Sequence, residues 1–236
     1  MSLKPFIEEF ISNRNYNLFV HWDVNHITSL IFPTVFNKYY VGWLGIRFDN
    51  TAPTNDTSKF YFCKIMHGKA VASNNAGGAF YITNYSKLII SNSTIANCYS
   101  ESVGGGIYLN NSSPKIYSNI ITNNKGLQGG GIYCSNGSPI INDNTIENNH
   151  VFGTTEGGGA ICCLGGSPFI KNNNISNNEA YGWGGGIYCY SSSAIISNNI
   201  VSYNTALRGG GIFSISMSSP LTSIIYNIIS NNSATQ

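Results

Sequence analysis

The chain has 236 residues, of which 42% are apolar, 13% aromatic and only 9% charged, with a formal net charge of +2. That length accommodates one domain with a sizeable core, and the aromatic content excludes the charge-rich disordered class. Without a Lys/Arg cluster there is no electrostatic footprint for nucleic acid or acidic lipid, and no run of about 18 apolar residues supplies a transmembrane helix.

In chain order, the start MSLKPFIEEF lacks the basic-then-apolar layout of a secretory signal. Either the chain is cytoplasmic or it is a piece of a secreted or cell-surface protein with its signal removed, and the Asn/Ser-rich, charge-poor composition favours the second. Phe6, Ile7, Phe10 and Ile11 form a short amphipathic pattern. Residues 1–42 are therefore expected to cap the open end of a coil formed by the rest of the chain, or to form degenerate first turns. His21, Trp22, Asp23 and His26 lie in this part. The two histidines have no third ligand that would make a metal site. GWLGIRFDN and SKFYFCKIMHGKA, residues 42–50 and 58–70, read as one degenerate repeat.

From Gly77 onward the repeat is regular. Its openings, GGAFY, GGGIY, GGGIY, GGAIC, GGGIY and GGGIF, begin at Gly77, Gly104, Gly129, Gly158, Gly184 and Gly209, at intervals of 27, 25, 29, 26 and 25 residues. A second block (NSSPKIYSN, NGSPIINDN, GGSPFIKNN) and a third (IITNN, TIENN, NISNN) follow each opening. Three short strand-like runs per repeat, bounded by Gly, Ser, Pro and Asn, are the expected reading. Helical spacing is absent, and residues of this kind oppose helix. The longest interval contains HVFGTTE, residues 150–156, which reads as an inserted loop.

The copies align in columns. Ile107, Ile132, Ile161, Ile187 and Ile212 share the first strand, Ile116, Ile141, Ile170 and Ile196 the second, and Ile121, Ile146, Ile175, Val201 and Ile229 the third. Asn119, Asn144, Asn173, Asn199 and Asn227 align after the second strand, and Asn124, Asn149, Asn178, Asn204 and Asn232 after the third. Identical columns suit a parallel stack, in which each residue sits on its own copy. One β-branched side chain per strand would fill the interior, and stacked asparagines would bond along the stack. The expected fold is all-β: a coil over residues 43–236 of about seven turns, with three short strands in each.

The GGGIY…SSPxIxxNxIxNN pattern resembles the right-handed parallel β-helix proteins of the pectate-lyase-like superfamily. Within it, the pattern is similar to bacterial surface repeats such as the chlamydial polymorphic outer-membrane proteins and related Bacteroidetes repeats. The resemblance covers roughly residues 43–236 and implies a right-handed coil. It implies no single activity, because the fold hosts lyases, hydrolases, epimerases and noncatalytic adhesins.

Tyr81, Tyr108, Tyr133, Tyr188 and Phe213 form one column, with Cys162 replacing the aromatic once. They alternate with the inward isoleucines and should face outward. Two readings are open: an exposed ladder that stacks on sugar rings, or rings that shield the sheet and stack on one another. Cys134, Cys163 and Cys189 share parity with the isoleucines and are expected to pack as small hydrophobes. After residue 76 the acids are Glu101, Asp143, Glu147, Glu156 and Glu179, and the bases Lys87, Lys115, Lys125, Lys171 and Arg208. They fall in different columns, mostly in turn segments, so no acid–base pair is evident and no carboxylate group is evident for calcium. No catalytic residue, metal or cofactor is assigned. The inserted segment, with His150 and Glu156, is the local specialisation.

The expected function is a noncatalytic cell-surface or secreted module: an adhesin segment, a stalk or a surface contacting polysaccharide or host glycans. The alternative is a carbohydrate-active enzyme of the same fold, a polysaccharide lyase, glycoside hydrolase or uronate epimerase. The last segment, IISNNSATQ, stops in mid-pattern with no evident cap, which leaves two expectations: the natural protein continues, or this end meets another domain or molecule.

Overall fold

A computed structural model describes residues 43–51, 57–71, 76–216 and 221–236. The expected cap over 1–42, with its His21-Trp22-Asp23 and His26 group, lies outside the described residues. Among the described residues every regular element is a strand. The strands stack into four seven-stranded parallel sheets, and the chain visits each sheet once per turn. From the first strand of a sheet to its seventh, the coil climbs about six turns.

The three-strand expectation is thus corrected to four. The turn that contains the second GGGIY runs Ile132–Ser135, Ile140–Asn142, Thr145–Glu147 and His150–Val151. The fourth strand is only two residues long here and supplies no isoleucine to the interior. Its inward residue in successive turns is Ala70, Ser100, Gly126, Val151, Ala180 and Ala206. These inward residues pack beside the glycine triplet. A Cβ on Gly130 would lie 2.5 Å from the Gly159 carbonyl oxygen and 2.8 Å from both the backbone nitrogen and oxygen of His150. Backbone therefore packs directly on backbone along this side of the coil, and only glycine fits.

The columns match in register. Ile132 pairs with Ile107 below and Ile161 above. Ile141 sits between Ile116 and Ile170, and Ile146 between Ile121 and Ile175. All of these isoleucines are fully buried in one continuous core. The first strand inserts two side chains per turn, because it is four residues long: Ile132 with Cys134, Ile161 with Cys163, Ile187 with Cys189. The cysteines pack as hydrophobes, and all six are buried and outside any disulfide. Burying each isoleucine side chain contributes roughly 1.5–3 kcal/mol.

Both corners around the third strand are built from residue pairs. The first of each pair takes a left-handed backbone: Asp143 and Asn172 before one ladder, Asn123, Asn148 and Asn177 before the other. Asparagine and aspartate tolerate that region better than other side chains. The second of each pair is a buried ladder asparagine. Oδ1 of Asn149 accepts the backbone N–H of Asn124 at 3.0 Å and its Nδ2–H at 3.0 Å. Nδ2 of Asn149 donates to the carbonyls of Ile121 and Glu147 and to Oδ1 of Asn178. Among the described residues no buried side-chain nitrogen or oxygen lacks a partner. Ser93 and Cys98 occupy the two ladder positions one turn earlier, and their backbone N–H groups donate to Asn119 and Asn124.

Candidate functional site

The first sheet projects the expected aromatic column away from the core, and strict register makes it continuous. It runs Arg47, Tyr81, Tyr108, Tyr133, Cys162, Tyr188 and Phe213. The Arg47 guanidinium carbon lies 4.0 Å from the Tyr81 ring centre. Tyr81 stacks on Tyr108 at 5.1 Å and Tyr108 on Tyr133 at 5.6 Å. Tyr188 stacks on Phe213 at 6.0 Å.

The expectation of an exposed ladder is corrected for its centre. Tyr133 keeps 9% of its surface, and Tyr188 and Cys162 keep none. These three form a second apolar cluster outside the sheet, joined by Val103, Leu164, Trp183 and Ile215. The physical cause is the chain just before a glycine triplet, where Val103 and Trp183 pack on this outer face. Trp183, the last residue of the fourth strand Glu179–Trp183, stacks on Phe213 at 5.3 Å. Burial pushes the phenols of Tyr133 and Tyr188 upward, and nearby Glu156 adds to both shifts. Within this column Tyr81, Tyr108 and Phe213 stay part-exposed.

Residues 150–156 are not wholly a loop. His150 and Val151 form the fourth strand of their turn, and the irregular segment begins at Phe152. Glu156 turns toward the aromatic column, where its carboxylate accepts a hydrogen bond from Gln128. The structure therefore separates His150 from Glu156: one lies on the fourth sheet, the other beside the first.

On the fourth sheet the structure assembles a row that the sequence pattern does not reveal. Its outward column runs Lys69, Tyr99, Lys125, His150, Glu179 and Thr205. Two residues further along the chain from His150 and Glu179, Phe152 and Tyr181 join the same outer face. His150 Nδ1 lies 3.0 Å from Glu179 Oε2, and the His150 ring meets Tyr181 edge-on at 4.8 Å. Tyr99 stacks on Phe152 at 6.2 Å, and the Lys125 ammonium lies 5.7 Å from the Phe152 ring centre. Tyr181 is 52% exposed. Lys125 and Glu179 are thus in one column rather than in unrelated turn segments. The available signal was positional: each follows the ladder asparagine by one residue, as do Tyr99 after Cys98 and His150 after Asn149.

Among the described residues no group of three or more His, Cys, Asp or Glu side chains converges as metal ligands would, and no helix is long and apolar enough to cross a membrane. Comparison with curated proteins gives no match, and comparison with solved structures gives none. The family model described as "right handed beta helix region" matches residues 45–168 and 128–235. With its parallel stack, four-cornered coil and asparagine ladders, the chain belongs to the right-handed β-helix family.

Proposed function

We propose that the chain is a noncatalytic module of a secreted or cell-surface protein, and that it contacts glycans through the outer faces of its coil as an adhesin or stalk segment. The observation that supports this reading is the fourth-sheet row. It carries exposed aromatic, cationic and carboxylate side chains at one-strand intervals of about 4.8 Å on a rigid support. Protein surfaces that bind sugars need flat apolar faces for the ring and polar groups beside them for the hydroxyls, and this row offers both. A backbone held by hydrogen bonds on both sides loses little entropy on binding.

One observation favours a second reading, a lyase, hydrolase or epimerase acting on a polysaccharide. Glu179 holds Nδ1 of His150, the arrangement in which a carboxylate orients an imidazole for proton transfer at Nε2. The two readings separate on a glycan array combined with depolymerisation and epimerisation assays on pectin, alginate and glycosaminoglycans, with and without calcium. Binding with every polymer left intact supports the module. Cleavage or epimerisation of any of them overturns it in favour of the enzyme.

A further inference from the structure

The fourth-sheet face has a chemistry specific enough to name its ligand. Tyr181, 52% exposed, presents an aromatic platform, and the stacked pair Tyr99 and Phe152 presents a second one lower on the same face. Between and beside them lie Lys125, His150 and Glu179 on three successive strands. The C–H face of a pyranose carries slight positive charge and sits well on the negative face of an aromatic ring. A carboxylate offers about four acceptor sites and an ammonium three donors, which suits the vicinal hydroxyls of such a ring. The strand spacing of about 4.8 Å is close to the length of one hexose unit in an extended β-1,4-linked chain.

The charge pattern selects among glycans. Lys125 and Glu179 lie in the same column, on either side of His150. Over this stretch the two charges offset each other, with Lys69 two strands below Lys125, and Glu179 repels each uronate or sulfate group that reaches it. We propose that the outer face of the fourth sheet binds an extended neutral hexose polysaccharide lying along the coil axis, stacked on Tyr181 and on the Tyr99–Phe152 pair and hydrogen-bonded by Lys125 and Glu179. This rests on the glycan-contacting role proposed for the module and assigns to it a face, a direction and a ligand class.

The test is calorimetric titration of the chain with cellohexaose, β-1,4-mannohexaose and hexagalacturonate, at low and high salt. At least one neutral hexaose binds, with an affinity that does not change with salt. Tyr181→Ala weakens that binding about tenfold, a loss of about 1.4 kcal/mol, and Glu179→Gln weakens it less. Both variants keep the parent's unfolding midpoint, because both side chains are more than half exposed. Preference for hexagalacturonate with loss of binding in salt overturns the inference. So does neutral-sugar binding that survives Tyr181→Ala but is lost in Tyr81→Ala or Tyr108→Ala, an outcome that leaves the glycan-contacting role standing. Failure of all three hexaoses overturns the inference alone where the array shows some other glycan bound, and overturns both readings where the array is blank.

Discussion

Asn119 and Asn144 are joined twice: Oδ1 of Asn144 accepts the backbone N–H of Asn119 at 2.9 Å and its Nδ2–H at 3.0 Å. Asn144 in turn gives its own N–H and Nδ2–H to Oδ1 of Asn173. Each rung therefore holds the rung before it by a side chain, in addition to the sheet hydrogen bonds. Asn144→Ala removes one acceptor and strands two buried donors of Asn119. Each stranded donor costs about 1–3 kcal/mol, so the expected loss is about 4 kcal/mol. Asn227→Ala strands the same two donors of Asn199, but there the bonds are only part-buried and water can replace them. Its expected loss is about half as large. Urea denaturation of both variants checks this, and equal losses would show that the ladder does not act through burial.

Tyr203 occupies a corner column otherwise filled largely by asparagine. Its φ is 56°, beside 54° for Asn123, 55° for Asn148 and 55° for Asn177. A tyrosine in that region carries a steric penalty that asparagine largely avoids. The side chain is 59% exposed, so little packing is lost on removing it. Tyr203→Asn is expected to raise stability by about 1 kcal/mol, read as a higher urea midpoint with unchanged slope. A lowered midpoint would mean that the ring makes contacts worth more than the strain.

Much of this architecture is legible in the sequence, for a physical reason. Three of the four strands place an isoleucine in nearly every turn, with exceptions such as Phe60 and Val201, so Ile141 and Ile146 mark their columns by repetition. The asparagine ladders are legible because each depends on the same residue above and below. The fourth strand was hidden because its interior residue is Gly126, Val151 or Ala180, small and variable, and a two-residue strand shows no alternation. Missing it scattered Lys125, His150 and Glu179 into apparent turns. The burial of Tyr133 and Tyr188 is not legible for another reason: parity shows which face a side chain leaves by, but not that Trp183, at the end of a fourth strand, packs over that face.

Stability should fall on the alkaline side, and Cys98 gives the sign. Burial pushes its thiol up to about 12, since a thiolate there would lose its water. In the unfolded chain the thiol releases its proton at about 8.5. Between those values the folded state binds more protons than the unfolded state, so stability falls as pH rises. The contribution is intact below the unfolded value and is lost as pH climbs toward the folded one. The buried phenols of Tyr133 and Tyr188, also raised, extend the loss beyond about pH 10. Urea midpoints measured from pH 7 to pH 11 should decline, and Cys98→Ala should flatten the part of the decline that begins near pH 8.5. An identical slope in the variant would remove Cys98 from the account.

Tyr181 and Tyr188 should respond in opposite ways to the same truncation. Tyr188 is fully buried, stacked on Phe213 and packed with Trp183 in the cluster outside the first sheet. Its replacement by alanine empties an aromatic-sized volume that neighbours cannot refill without moving, at a cost of about 3–5 kcal/mol. Tyr181 stands on the fourth sheet with half of its surface in water and one edge-on contact to His150. Its truncation should change stability by less than about 0.5 kcal/mol. The pair therefore separates packing from recognition. A loss of glycan binding in Tyr188→Ala would be accompanied by a fall in the unfolding midpoint, and a loss in Tyr181→Ala would not. Equal midpoints for the two variants would show that the aromatic column is not an outer layer of packing, and would return Tyr133 and Tyr188 to the candidate binding surface.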